Sequence, residues 1–307
     1  MTESERIERI LKGFDPVLLE LLKTFDTSFV IDGEGVGIGL DSCVVPLRHK
    51  GLNLVQTTDF FYPLIDDPYL MGRVTCANVL SDLYAMGVVN CDNMLMLLGV
   101  AVDLNEKERN VIVSMFIEGF KTVRCPWLLL GGVATSVASD KEIIMVDRAG
   151  PGDVLVLTKP LGGQKNGRVE EYGLDEKKII RAFQQVTEQM TRLNRNAAKM
   201  LHKFSAHAST DVTGFGILVI EYMDEIARKM PNGNGFNLFG GTAAETSGGL
   251  LVALSPENAE GFINGMKSAD GFPAWIVGRV EKLEEGTSHA VIDKEFKVVS
   301  VPSAIHN

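Results

Sequence analysis

Two carboxylates stand where they could share a cation. Asp59 closes an alternating run, Leu52-Asn53-Leu54-Val55-Gln56-Thr57-Thr58, that reads as a strand. After a turn rich in Pro and Asp, residues 69–86 read as a helix that is apolar on most faces through Leu70, Val74, Ala77, Val79, Leu80 and Leu83. Such a helix is normally buried. Thr75, Asn78 and Asp82 fall at i, i+3 and i+7, on one stripe of it. A buried carboxylate without a partner costs several kcal/mol or takes up a proton. A cation held by Asp82 and Asp59 together is the economical resolution.

Nucleoside triphosphate chemistry needs cations against the phosphates and carboxylates to hold those cations. Asp41, in a strand-like run over 36–45, and Asp211, in the loop Thr210-Asp211-Val212-Thr213-Gly214, are further acids of the right type. Spacing alone credits only Asp59 and Asp82, because a lone Asp at a strand end is more often a turn former or cap. Asp67 before Pro68 is such a cap, a helix-start signature. Asn78 reads either as a core amide or as a nucleotide contact. Thr57 and Thr58 either bond a phosphate or merely suit a strand. Gly214-Phe215-Gly216 and Thr246-Ser247-Gly248-Gly249 are small-residue turns that let backbone approach a ligand closely. No GxxxxGK[ST] run and no GxGxxG after a strand is present, which excludes the common phosphate loops. No Ser–His or Cys–His pairing can be argued, and His207 reads as a structural histidine.

The elements that must position these groups follow from periodicity. Residues 1–24 read as an amphipathic packing helix, and 36–45 with 52–58 as paired strands. The 69–86 helix, a strand over 94–102 and a helix from Asn105 come next. That last helix has Asn105 as N-cap, Glu108 at N3 and an apolar face of Val111, Ile112, Met115, Phe116 and Phe120. Strands over 127–138 and 142–146 close the first half. Ala149-Gly150-Pro151-Gly152-Asp153 is the boundary, dividing 1–149 from 150–307. Beyond it are a strand over 154–158, one long helix over 176–204, a helix over 255–266 and strands over 275–280 and 290–299. Both halves are α+β.

The chain has 307 residues, 45% hydrophobic and 23% charged, enough for two domains with sizeable cores. A net charge of −10 argues against a nucleic-acid partner. Cys43, Cys76, Cys91 and Cys125 show no CxxC pairing, which speaks against zinc and for a reducing, cytoplasmic setting. No apolar run reaches the ~18 residues of a membrane span. The start, MTESERIERILKGF, lacks the apolar core of a signal peptide.

The stretch from Thr57 to Gly87, TTDFFYPLIDDPYLMGRVTCANVLSDLYAMG, resembles the central motif of selenophosphate synthetases. That family lies within the superfamily of aminoimidazole ribonucleotide synthetase-like ATP-binding proteins. CDNMLMLLGV (91–100), PGDVLVLTKPLG (151–162), HASTDVTGFGIL (207–218) and ETSGGLLVAL (245–254) follow in the family's order. The wording is that of the eukaryotic branch, and the resemblance covers nearly all of the chain after about residue 35. It implies a two-domain α+β fold. The N-terminal domain would bind metal and ATP and pair with its twin in a dimeric β-barrel, and the C-terminal domain would be an α/β sandwich. It implies a homodimer acting on ATP and selenide with Mg²⁺, a K⁺ requirement being left open. The reaction would be ATP plus selenide plus water giving selenophosphate, AMP and phosphate. The family's metal positions fall on Asp41, Asp59, Asp82 and Asp211, and its nucleotide contacts on Thr57, Thr58, Asn78, Thr213 and Gly214. The alternatives are another ATP-using superfamily member, such as a thiamine monophosphate kinase, or a non-catalytic nucleotide-binding regulatory paralogue.

The chain departs from the pattern in two ways. The family carries a glycine-rich loop with Cys or selenocysteine followed three residues on by Lys, and nothing here matches it. Cys43 follows Asp41 instead, so no catalytic nucleophile is assigned. The chain is therefore expected to bind ATP with Mg²⁺ but to make little selenophosphate. Near 124, 164 and 218 it is also shorter than the family. These junctions read as seams from which residues are missing, in preference to true deletions.

Overall fold

The Asp82 helix lies at the centre of the molecule. In the computed structural model, residues 40–60, 64–99, 104–121, 131–161, 176–213, 245–282 and 301 are described. Helix α1 (Pro68–Ala85) is buried along most of its length. Asp67 caps it, its side chain accepting from the Leu70 N–H at 2.9 Å, with Pro68 at the first helical position.

The first sheet is antiparallel, in the order β1-β2-β4-β3, with β1 (Cys43–Pro46), β2 (Leu52–Phe60), β3 (Asn93–Leu97) and β4 (Gly131–Ser139). Alternation sends Val44, Val55, Thr57, Met94, Met96 and Ala134 inward. Helix α1 packs on this inner face, and α2 (Glu106–Lys121) packs on α1. The second sheet is antiparallel, in the order β6-β7-β5-β8, with β5 (Val154–Leu157), β6 (Ala208–Asp211), β7 (Leu250–Leu254) and β8 (Trp275–Arg279). Helices α3 (Glu176–Thr191), α4 (Arg195–Lys203) and α5 (Pro256–Asp270) belong to the second half. Ser255 precedes α5, with Pro256 first, but its side chain makes no capping bond.

Three expectations need correction. Residues 142–146 form no strand. The Glu142 side chain accepts from the Ser139 N–H at 2.9 Å and hydroxyl at 2.7 Å, closing a turn, and a 3₁₀ turn follows at Val146–Arg148. The long helix over 176–204 is broken at Arg192–Asn194 into α3 and α4. Asn194 is buried there, its side chain bonded to Ser81 Oγ at 3.0 Å and to the Gly248 carbonyl at 2.8 Å. The α2 apolar face is only partly inward: Phe116 and Phe120 are buried, while Val111, Ile112 and Met115 are exposed. Thr75, on the stripe of Asn78 and Asp82, donates its hydroxyl to the Met71 carbonyl at 2.8 Å. The Asn105–Glu108 capping box forms as expected, with both bonds at 3.0 Å. The 1–24 helix, the 290–299 strand, Cys125, Gly214 and the three short junctions lie outside the described residues.

Helices α1 and α2 cross at backbone contact. A Cβ on Gly119 would sit 1.8 Å from the Tyr69 carbonyl oxygen, and one on Gly72 would sit 2.2 Å from that of Phe116. Each would force the helices apart. Gly119→Ala is therefore expected to destabilise the protein by about 1–3 kcal/mol or more. Gly150→Ala, where an added Cβ meets nothing within 4 Å, should stay within about 0.5 kcal/mol. Denaturant unfolding of both variants checks the contrast.

Candidate metal centre

Three acids from distant parts of the chain meet where the two halves touch. Asp41 stands just before β1, Asp82 near the C-terminal end of α1, and Asp211 at the end of β6. One carboxylate oxygen from each lies within 4.8 Å of the other two. Thr210 Oγ1 donates to Asp41 Oδ1 at 2.9 Å, tying the first acid to β6. Asp41 Oδ2 and Asp211 Oδ2 are buried and make no hydrogen bond.

Charge makes the arrangement unstable on its own. At an effective dielectric of about 20, two carboxylates this close repel by roughly 3–4 kcal/mol. Burial, then the Asp211 charge, pushes Asp41 up to about 7. Burial raises Asp211 to about 6, against the pull of Ser81. Burial and Asp211 hold Asp82 well above the usual carboxylate range. An all-oxygen donor set with two orphaned oxygens fits a hard divalent ion such as Mg²⁺.

Asp59 lies beside this trio, raised by burial and itself raising both Asp82 and Asp211. Its Oδ2 accepts from Asn78 Nδ2, and its Oδ1 from the Phe60 N–H at 3.2 Å. Thr57 points inward and donates its hydroxyl to Asp82. Thr58, the next residue on the strand, is exposed on the opposite face and is not brought to the acids. Thr213 follows two residues after Asp211, and its carbonyl accepts from the Glu245 N–H. His207 bonds Asp153 Oδ1 at 2.9 Å, the structural role read from the sequence.

Several polar groups were missed. Ser81 favours the charged form of Asp211, and its Oγ accepts from Asn194 at 3.0 Å. Ser247 donates its N–H to Asn78 Oδ1 at 3.0 Å. Their signal in the sequence was position alone: Ser81 adjoins Asp82, and Ser247 sits in ETSGG.

Residues 39–146 match the family "AIR synthase related protein, N-terminal domain". A solved thiamine monophosphate kinase from Aquifex aeolicus superposes with a TM-score of 0.52 at 18% identity, over 89% of this chain and 95% of that one. The fold is thus that of the AIR synthase-like proteins. A relative from Caenorhabditis elegans named "Probable selenide, water dikinase" is 55% identical over 376 aligned positions, covering 98% of this chain and 100% of that protein. At least 69 of those positions, 376 less 307, hold no residue of this chain. "Selenide, water dikinase" from Trypanosoma brucei brucei is 37% identical over 95% of this chain and 87% of its own length. The chain belongs to the selenide, water dikinase family.

The raised carboxyls set the sign of the pH dependence. In the folded, metal-free chain these carboxyls hold more protons than in the unfolded one from about pH 4 to about pH 7, so their stabilising contribution is lost as pH rises through that window. A divalent cation held by these carboxylates would have to displace those protons, so its apparent affinity would rise over the same range. Asp82→Asn is expected to stabilise the metal-free protein at pH 8 by on the order of 1–2 kcal/mol and to weaken Mg²⁺ binding by at least about tenfold. Thermal unfolding across pH and Mg²⁺ calorimetry check both signs.

Proposed function

We propose that this chain makes selenophosphate from selenide and ATP, with water as the second acceptor and AMP and phosphate as the other products. The reading is carried by the Asp41–Asp82–Asp211 convergence in a chain whose curated relatives, matched nearly end to end, are named selenide, water dikinase. Asp41, Asp82 and Asp211, with Asp59 alongside, would hold Mg²⁺, and Mg²⁺ when bound neutralises phosphate charge. Thr57 fixes the Asp82 carboxylate by its hydroxyl, and Asn78 fixes Asp59 by its amide. Thr213 and Gly214 are assigned to the nucleotide by the motif they share with Asp211. No described cysteine is assigned as nucleophile: Cys43 is exposed, Cys76 is buried, and Cys91 Sγ donates to the Asn93 carbonyl at 3.1 Å.

The outer face of the first sheet supports a homodimer. Val45 pairs with Leu54 and Leu54 with Val137, so an apolar row crosses three strands. Val45, Leu52, Phe60, Leu95 and Val137 are all exposed on that face. A second copy laid on it would complete the barrel. The division at 149/150 is supported by one four-stranded sheet on each side of it. Cys43, Cys76 and Cys91 form no disulfide, which suits a cytoplasmic setting. No described helix is long and apolar enough to cross a membrane.

Product analysis tests the reaction. With ATP, Mg²⁺ and selenide, AMP is expected to form in a selenide-dependent way, slowly if the unmatched Cys/Lys loop limits the selenium step. ADP formed in step with thiamine monophosphate would overturn the assignment. The dimer is tested by light scattering: Leu95→Lys with Val137→Lys should yield monomers that remain folded, whereas a wild-type protein that is monomeric at micromolar concentration contradicts it.

A further inference from the structure

Lys159 is 2% exposed and gives no hydrogen bond to the acid cluster, though its charge favours the ionised Asp211 carboxylate. Lys159 follows β5. Its Nζ donates to the carbonyls of Arg192 at 2.7 Å, Ser247 at 2.9 Å and Gln189 at 3.2 Å. An ammonium has three N–H donors, and all three are used. Gln189 lies in the last turn of α3 and Arg192 directly follows it, where the helix dipole favours a cation. Burial and then Arg192 press Lys159 toward the neutral amine. A neutral amine, however, has two N–H groups and would turn its lone pair toward one of the three carbonyl oxygens. The geometry is that of the charged form.

The grip on Ser247 continues toward the acids. Ser247 holds φ +49°, unusual for a residue with a side chain. In that conformation its N–H donates to Asn78 Oδ1 at 3.0 Å, and its hydroxyl is shared between the same oxygen at 3.2 Å and the Val74 carbonyl at 3.3 Å. Both bonds fix the amide oxygen of Asn78 on Ser247, which leaves Asn78 Nδ2 to face Asp59. Turned the other way, the amide would present its oxygen to the carboxylate. The glycines that follow make the approach possible. A Cβ on Gly249 would meet the Lys159 backbone N at 2.4 Å, and one on Gly248 the Val212 carbonyl at 2.1 Å.

We propose that Lys159 is a positioning residue for the acid centre: by holding the Ser247 carbonyl, it sets the orientation of the Asn78 amide and hence the donor that Asp59 receives. This rests on the acid cluster being a cation site only for its effect on metal affinity. The orientation itself belongs to the metal-free protein. The ammonium thus acts as an internal cation that fastens β5, the end of α3 and the Ser247 turn, and through them a side chain of α1.

Two readouts test it. In metal-free protein labelled with ¹⁵N, the Asn78 side-chain NH₂ is assigned by its loss in Asn78→Ala and followed by hydrogen exchange. Lys159→Met is expected to speed that exchange by about tenfold or more. Unchanged exchange and chemical shift would overturn the proposal. Second, the affinity for Mn²⁺ alone is measured by electron paramagnetic resonance. Lys159→Met should weaken it by about tenfold, and Lys159→Met combined with Asn78→Ala should be no weaker than Asn78→Ala alone. Additive losses would mean that Lys159 acts by another route. If Lys159→Met does not fold, Lys159→Arg takes its place, because a planar guanidinium keeps the charge but cannot seat three donors on the same carbonyls. A wild-type protein that binds no Mn²⁺ would sink the cation reading of the cluster, while the exchange of the Asn78 amide would still decide for or against Lys159.

Discussion

Repulsion among carboxylates is the constraint around which the rest is arranged. Asp41, Asp82 and Asp211 have oxygens within 4.8 Å of one another, contributed by both halves of the chain. Without compensation they would drive those halves apart. The protein meets this with a close network of donors and leaves two oxygens open. Thr57, Thr210 and Asn78 each give a hydrogen bond to one of the acids or to Asp59 beside them. Each of these donors is itself fixed by a strand, a helix or a further hydrogen bond. Asp41 Oδ2 and Asp211 Oδ2 are left for a cation to satisfy. The fold presents a site whose own chemistry asks for positive charge, which is the demand of a family that handles the phosphates of ATP.

Part of this was legible in the residues. Asp82 could be read because its helix is apolar all round, so that a carboxylate on it needs a reason. Asp59 could be read because strand alternation placed it at the near end. Asp41 and Asp211 could not be credited from spacing, since their meeting depends on β6 packing beside α1, a contact between residues far apart in the chain. The break between α3 and α4 was hidden for the same reason. Met190, Leu193, Ala197 and Leu201 keep a helical rhythm straight through it. What breaks the helix is Asn194, turned to Ser81 and Gly248, together with Lys159 on the Gln189 and Arg192 carbonyls. Periodicity shows that a face is apolar and not what covers it, which is why Val111, Ile112 and Met115 look like core and are exposed. Thr57 and Thr58 were indistinguishable by type, and only the strand's two faces separate them.

The polar contacts between the halves run through a few buried side chains. Asn194 spans Ser81 and Gly248, and Ser247 reaches Asn78 and the Val74 carbonyl. Arg195 extends the seam at the surface, bonding the Val89 carbonyl at 3.1 Å and Asn90 Oδ1 at 2.9 Å, and His202 Nε2 lies 2.7 Å from the Gly87 carbonyl. A shift between the halves would therefore be felt first by the donors around the acids.

Helix α1 belongs to the first half by sequence, yet its last residue, Ala85, packs in the core of the second half with Val156, Leu201 and Phe262. Ile144, just before the boundary segment, does the same. A cut at the covalent boundary would pull neither half out whole. The first would carry away a piece of its neighbour's interior, and the second would be left with a hole lined by its own buried side chains. In a lineage that shuffles domains, this pair is expected to travel as one inheritance. A gene fusion or split at the linker would have to rebuild an interior along with a loop.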